Sequence, residues 1–181
     1  PVDAASVLLL RDSDEGLQVL LMRRAQASQV LGGAYVFPGG KVDAADHGPQ
    51  ALHSLSETPA QLHQRLHETE LPPERAAGLF MAALREAFEE CGVLAGQDES
   101  GSALAAQLRA QVGQHGWHQS LHQQGQPLRT EALLPWSRWI TPRQPAVTNK
   151  RFDTRFFLTR IDAEQHASHD NFETTDSVWL T

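Results

Sequence analysis

The sequence predicts a single α/β domain of mixed type, with helices packed against a sheet. Three observations support this prediction. The chain opens with two apolar runs of strand length around an Asp- and Gly-containing turn, continues into a long helix with one apolar face, and returns to strand-like runs near its end. Its 181 residues suit one domain, and a chain of that size buries about 70% of its unfolded surface.

Strand character is concentrated at the two ends of the chain. The predicted strands are residues 4–11, 17–24, 34–37, 136–141, 154–161 and 177–181. The segment Asp12–Gly16 between the first two predicts the turn of a hairpin. The third strand ends at Pro38-Gly39-Gly40, where the glycines let a ligand approach the backbone closely.

The strongest helix is predicted over Pro73–Cys91. Pro73 is a favoured first residue, apolar residues recur at three- and four-residue steps, and Gly92 is a typical stop signal. Weaker helices are predicted at about 59–66, 102–112 and 114–124. We therefore expect one domain over 1–181, with an insertion at about 47–72 and an additional helical segment at about 102–125.

Composition excludes several classes of protein. The net charge of −7 argues against a general binder of nucleic acid backbones. The only cysteine, Cys91, excludes an internal disulfide framework and reads as a core thiol on the apolar side of its helix. No run approaches the ~20 apolar residues of a membrane span, and no signal peptide opens the chain. We expect a cytoplasmic enzyme.

The polar face of the long helix carries the clearest chemical signal. Glu86, Glu89 and Glu90 stand at i, i+3 and i+4, which puts three carboxylates on one side. Like charges at this spacing repel each other, so the cluster is either a solvated face or the binding site of a hard cation such as Mg²⁺. Arg85 adjoins the cluster and is suited to orient a carboxylate.

The glycine turn and the helix together resemble a known motif. Gly40, Asp46 and the segment Arg85-Glu86-Ala87-Phe88-Glu89-Glu90-Cys91-Gly92-Val93 resemble the Nudix box, G-x5-E-x7-R-E-U-x-E-E-x-G-U, where U is aliphatic. The first acid is Asp rather than Glu. Arg85 follows it by 39 positions, whereas the family pattern places the two eight apart. Either Asp46 takes the first acidic position, or the insertion precedes that position and Glu74 takes it.

Residues on both sides of the box resemble one Nudix subgroup, the coenzyme A and acyl-coenzyme A diphosphatases of peroxisomes and mitochondria and their bacterial relatives. The matching segments are Leu20–Ala25, Gly33, Phe37–Gly40, 136–142 and 151–157. Met22 and Gln29 replace a Thr and an Arg of the subgroup signature.

The resemblance implies a Nudix-type α/β/α sandwich with a mixed sheet, and a metal-dependent diphosphohydrolase that uses Mg²⁺ or Mn²⁺. The implied metal ligands are Gly39, Glu86, Glu89, Glu90 and the late acid Glu173. Glu86 is a further ligand or the base that activates water, with Arg85 as its orienting partner. Coenzyme A or acyl-coenzyme A would yield 3′,5′-ADP and (acyl-)phosphopantetheine.

Cationic side chains near the motifs are candidates for phosphate binding, since guanidinium groups suit bidentate contacts. Arg24 matches the first Arg of the subgroup signature, and we expect Arg151 or Arg155 to compensate for the Arg that Gln29 replaces. Two alternatives stay open at this point: a Nudix hydrolase of ADP-ribose, dinucleotides or nucleoside triphosphates, and a non-catalytic nucleotide sensor. The expected partner is a small nucleoside diphosphate compound, and the expected state is a monomer or a homodimer.

Two weaker patterns are interpreted as structural. The pairs His63/His67 and His118/His122 have a zinc-compatible spacing, but they lie among polar residues, which indicates a solvated helical face. Trp136 and Trp139 are able to stack an adenine, although packing aromatics on a strand are commoner.

Overall fold

A computed structural model describes residues 1–26, 32–97, 101–143, 150–161, 165, 167 and 174–181. Its strands are β1 (Val2–Ser13), β2 (Gly16–Arg24), β3 (Tyr35–Val36), β4 (Gly39–Lys41), β5 (Leu134–Ile140), β6 (Phe152–Arg160) and β7 (Thr174–Leu180). Its α-helices are α1 (Pro49–His53), α2 (Pro59–Leu66), α3 (Pro73–Cys91), α4 (Gly101–His115) and α5 (Trp117–Gln124), and a 3₁₀ turn covers Ala44–His47.

The sheet is mixed, and β1 is its central strand. β1 pairs with β6 in parallel, with β2 as an antiparallel hairpin, and with β4 in antiparallel fashion through its first half. β5 extends the sheet beyond β6, while β3 and β7 both pair with β2. A parallel pair next to antiparallel ones confirms the predicted α/β class with a mixed sheet.

Helix α3 packs across the inner face of the sheet and forms the centre of the core. Its residues 76–85 are buried, and Phe80 contacts Phe157 of β6 at a ring-centroid distance of 4.8 Å. The same face of the sheet contributes Ala5, Val7 and Leu9, because alternate residues of a strand point to one side. The helix that carries the glutamates is therefore fixed against the sheet along most of its length.

The predicted elements agree with the structure where local signals are strong. α3 has the predicted bounds, Gly92 ends it in the left-handed region at φ 68°, and Ser13 pairs with Gly16 at the predicted hairpin. Strand β4 and helix α1 were not predicted. α1 and α2 lie within residues 47–72, and α4 and α5 span residues 101–124; the treatment of both segments as additions to one domain stays a prediction. Across the described part of the chain, no helix is long and apolar enough to cross a membrane.

Candidate active site

The three glutamates lie at the C-terminal half of α3, next to the turn that begins β4. The backbone N–H of Gly39 donates a hydrogen bond to Oε2 of Glu90 at 3.1 Å. Glu86 lies against Gly40, because a Cβ atom at that position would be within 2.7 Å of all three carboxyl atoms of Glu86. The glycine pair and the glutamate cluster, which the sequence separates by 46 positions between Gly40 and Glu86, are therefore in direct contact.

Gly39 and Gly40 both lie too close to neighbouring atoms to carry a side chain. A Cβ atom at Gly39 would lie within 2.7 Å of Cα and Oγ of Ser6, and the φ of Gly39 is +157°, a value that favours glycine. Ser6 in turn donates a hydrogen bond from Oγ to the carbonyl of Pro38 at 3.0 Å. β4 therefore packs closely against β1 on one side and against α3 on the other.

Arg85 connects the carboxylates. It is 5% exposed, and its Nη1 donates to Oε1 of Glu86 at 2.9 Å and to Oε2 of Glu89 at 2.8 Å. Its Nη2 also donates to the carbonyl of Lys41 at 3.0 Å. Burial on its own would lower the pKa of Arg85, but Asp46, Glu86 and Glu89 outweigh burial and raise that pKa, so the residue is a permanent cation.

Asp46 holds the other edge of the Arg85 guanidinium. Nε donates to Oδ1 at 3.1 Å and Nη2 donates to Oδ2 at 3.0 Å, a bidentate pair. His118 of α5 adds a contact from Nε2 to Oδ1 at 2.8 Å, and the N–H of Asp43 donates to Oδ2 at 2.8 Å. Burial would raise the pKa of Asp46, but the hydrogen bonds from His118 and Arg85 outweigh it and hold that pKa below its ordinary value.

These contacts favour one of the two candidates for the first acid. Asp46 is fully buried against Arg85, whereas the side chain of Glu74 is exposed, and its backbone carbonyl is the atom that meets His47. The 3₁₀ turn Ala44–His47 brings Asp46 to this point directly after β4. The position of the long insertion, between Asp46 and Arg85, stays a prediction.

The donor set suits a hard divalent cation. Carboxylate and carbonyl oxygens are the ligands that Mg²⁺ and Mn²⁺ prefer, and the missing Cβ at Gly40 provides the space that the Glu86 carboxylate occupies. Within the described residues, no three acidic, His or Cys side chains form a ready metal cluster. Arg85 instead takes one oxygen each of Glu86 and Glu89. The predicted ligand Glu173 lies outside the described residues.

Comparison with known proteins identifies the architecture. A model of the NUDT19 Nudix domain matches residues 3–181. The chain belongs to this Nudix family. A crystal structure of a NUDIX hydrolase from Alicyclobacillus acidocaldarius is similar at a TM-score of 0.68 and 27% identity, over 98% of this chain and 78% of that one.

Curated relatives of this Nudix domain carry a more specific name. The human acyl-coenzyme A diphosphatase NUDT19 is 33% identical over 184 residues, which cover 80% of this chain and 48% of the human protein. The Gallus gallus protein of the same name is 29% identical over 98% of this chain and 60% of its own length. The chain thus spans about half the length of the curated relatives it matches.

The predicted phosphate-binding arginines of the Nudix domain differ in their surroundings. Arg24 ends β2, and its Nε is buried without a hydrogen-bond partner among the described residues. Arg151 donates from Nε to the carbonyls of Thr141 and Pro142 at 3.0 and 3.1 Å.

Arg155 has a structural environment. It is 3% exposed and pairs with Glu68 at 2.6 Å, with Asp3 at 2.7 Å and with Asp153 at 3.3 Å. Three carboxylates thus neutralise a guanidinium that has almost no contact with solvent. The prediction that Arg155 binds substrate stays a prediction, and these ion pairs show that the residue also stabilises the fold.

Two interpretations of weaker patterns are wrong. His118 does not belong to a fully solvated face, because it contacts buried Asp46. Trp136 and Trp139 do not pack into the strand layer; they are 68% and 63% exposed on β5. The adenine-stacking role of the two tryptophans stays a prediction. The interpretation of Cys91 as a core thiol is confirmed by its complete burial.

Proposed function

We propose that this chain is the catalytic Nudix domain of a metal-dependent diphosphohydrolase that cleaves coenzyme A or acyl-coenzyme A into 3′,5′-ADP and (acyl-)phosphopantetheine. The observation that carries the proposal is the contact of Glu86 and Glu90 with Gly39-Gly40, which gathers oxygen ligands at one backbone turn. The names of the relatives, acyl-coenzyme A diphosphatases, support this choice of substrate.

Glu86, Glu89, Glu90 and the Gly39 carbonyl would hold Mg²⁺ or Mn²⁺, together with Glu173. When bound, the cation neutralises developing charge on the diphosphate oxygens and favours deprotonation of an attacking water. Arg85 fixes the orientation of two carboxylates, since its Nη1 donates to both Glu86 and Glu89. Such outer partners orient ligands and keep their geometry from drifting.

Glu86 is our candidate for the residue that accepts the proton of the attacking water. Its carboxylate lies against Gly40, where no side chain separates it from the backbone turn. Its Oε1 is held by Arg85, so the orientation of the carboxyl group is fixed before substrate arrives. A general base must be held within hydrogen-bonding reach of its proton, and the fixed orientation of this carboxylate supports the assignment.

Arg24 is the proposed contact for a phosphate group of the substrate. A buried N–H without a partner is costly in a folded protein, by about 1–3 kcal/mol. The buried Nε of Arg24 is such a donor among the described residues, and an anionic ligand would satisfy it. Coenzyme A carries a 3′-phosphate in addition to its diphosphate, so its site needs a cationic contact beyond the metal ligands. Arg151 stays a second candidate for that contact.

The test is a substrate panel assayed with Mg²⁺, with Mn²⁺ and with EDTA, and read by mass spectrometry. The panel contains coenzyme A, acyl-coenzyme A, ADP-ribose, a dinucleotide and a nucleoside triphosphate. When metal is present, we expect 3′,5′-ADP and phosphopantetheine from coenzyme A, and 3′,5′-ADP and acyl-phosphopantetheine from acyl-coenzyme A. Without metal, we expect neither reaction. Glu90→Gln should abolish this turnover, and Glu15→Gln, at the exposed hairpin turn, is the matched control.

Other outcomes of the panel contradict the proposal in different ways. Hydrolysis of ADP-ribose without cleavage of coenzyme A would exclude the substrate class and leave a Nudix hydrolase. Binding of nucleotides without turnover of any panel member would favour a sensor. Full activity in EDTA would exclude the metal assignment.

A further inference from the structure

We propose that His118 is a positioning residue for the site: it fixes the rotamer of Asp46, and Asp46 fixes Arg85 against Glu86 and Glu89. His118 would thus link the helical segment 101–124 to the carboxylates of α3. The activity arm of its test rests on the hydrolase function proposed above. A second arm, which needs no turnover, is therefore included.

The hydrogen bonds of Asp46 show why one more donor matters. Four donors converge on its two oxygens: Nε and Nη2 of Arg85, the N–H of Asp43, and Nε2 of His118. A carboxylate has about four lone-pair sites, so this set fills Asp46 completely. Asp43 and Asp46 belong to one turn, and Arg85 is the group to be positioned. His118 is therefore the donor that ties the turn to a different element.

Helix α5 holds His118 firmly enough for this role. The neighbouring Trp117 is 3% exposed and packs on Phe88 at a ring-centroid distance of 4.9 Å. Its indole N–H also points at Sδ of Met81, 3.4 Å away. Met81 and Phe88 lie on α3 on either side of Arg85. Since α5 is anchored to the helix that carries Arg85, the imidazole has a fixed reference for holding Asp46.

A second carboxylate lies near Arg85, so the guanidinium has an alternative orientation that the hydrogen bond from His118 to Asp46 would prevent. The carboxylate of Asp43 is 3.7 Å from Nη2 of Arg85, and its side chain is 59% exposed. If Asp46 rotates, the guanidinium is able to turn toward Asp43. Such a turn would change the position of Nη1, the atom that donates to both Glu86 and Glu89.

The experiment compares His118→Gln with His118→Met. Gln and Met have similar size and flexibility, but only the Gln amide N–H₂ is able to donate to Asp46. The control is His122→Met, an exposed histidine one turn further along the same helix. For each variant we would measure kcat and KM for coenzyme A hydrolysis, the melting temperature, and the ¹H–¹⁵N signal of Arg85 Nε, assigned by its loss in Arg85→Lys.

We expect His118→Met to lower kcat by about tenfold, the lower end of the effects measured for partners of metal ligands, with KM nearly unchanged. The Arg85 Nε signal should shift or broaden in the same variant. His118→Gln should restore both readouts, and His122→Met should resemble wild type. If His118 served stability alone, His118→Met would lower the melting temperature without the selective fall in kcat at nearly unchanged KM.

Three results would overturn the inference. His118→Met could retain wild-type kcat and an unchanged Arg85 signal. Both substitutions of His118 could impair the protein equally, which would assign the effect to ring packing. If His118→Met does not fold, the wild type decides: ring ¹⁵N chemical shifts that show Nε2 of His118 without a proton would exclude a hydrogen bond donated to Asp46. If wild type hydrolyses nothing, the proposed function fails, and the Arg85 signal still tests the inference.

Discussion

Substitution of Gly40 by Ala tests the closest contact in the site. An added Cβ would lie within 2.7 Å of the three carboxyl atoms of Glu86, whereas comfortable heavy-atom contacts are about 3.5–4.0 Å. The methyl group therefore has to displace the Glu86 carboxylate by about 1 Å. Displacements of this size in a reacting group cost about 100-fold in rate, or about 2.7 kcal/mol of transition-state stabilisation.

The assay for Gly40→Ala is steady-state hydrolysis of coenzyme A alongside a denaturant titration. We expect kcat to fall by about 100-fold. The free energy of unfolding should fall by only about 1 kcal/mol, the low end of overpacking costs, because the displaced atoms end a flexible side chain. Gly113→Ala is the matched control: its added Cβ meets nothing within 4 Å in α4, so activity should stay unchanged.

A double-mutant cycle sharpens this test. Glu86→Asp shortens the acid by one methylene, which makes room for the methyl group at position 40. The double variant Gly40→Ala/Glu86→Asp should therefore lose less activity than the sum of the two single losses, measured as free energies. Wild-type kcat in folded Gly40→Ala, or strict additivity in the cycle, would refute the contact between Gly40 and Glu86 as the controlling feature.

Four further predictions follow from the site and its surroundings. Glu90→Gln should reduce kcat by orders of magnitude without a change in far-ultraviolet circular dichroism, and wild-type turnover would remove Glu90 from the ligand set. Arg24→Ala should weaken the binding of coenzyme A by about 10- to 100-fold, through loss of about 1.5–3 kcal/mol of binding free energy, and should affect the binding of dephospho-coenzyme A far less. Equal losses for the two compounds would assign Arg24 to the diphosphate or the scaffold. Arg155→Met should lower the free energy of unfolding by about 1–3 kcal/mol, because Arg75 and Arg138 still pair with the carboxylates that it leaves. A variant of unchanged stability would contradict its structural role. Because folding lowers the pKa of Asp46, its ionisation stabilises the protein above the unfolded-state pKa of about 3.9, and this stability is lost as pH falls through the folded-state pKa. Asp46→Asn should therefore reduce the fall in the free energy of unfolding between pH 6 and pH 2, measured by urea titration. An unchanged pH dependence would contradict this prediction.

The sequence by itself determined the features that depend on near neighbours. Pro73 and Gly92 bound α3 because a proline at the first turn and a left-handed glycine at the end act within a few residues. Glu86, Glu89 and Glu90 share a face because the helical period places residues three and four apart side by side. These signals were sufficient to predict the main helix of the fold and its carboxylate cluster.

The sequence did not determine which distant residues meet that cluster. β4 escaped prediction because Gly39-Gly40 has little strand propensity, and its pairing depends on β1, more than thirty residues earlier. The choice between Asp46 and Glu74 depended on the path of the insertion. Loop-closure entropy changes only slowly with loop length, so length alone favoured neither acid.

Only the tertiary structure decided which polar residues are engaged with one another. Arg24 and Arg155 are both arginines on strands, yet one has a buried nitrogen without a partner among the described residues and the other is neutralised by three carboxylates. His118 is flanked by polar residues in the sequence, but in the structure it contacts Asp46, 72 positions away. Burial and charge pairing arise from the packing of separate elements, and the physical reason is that side-chain environments are set by neighbours in space rather than along the chain.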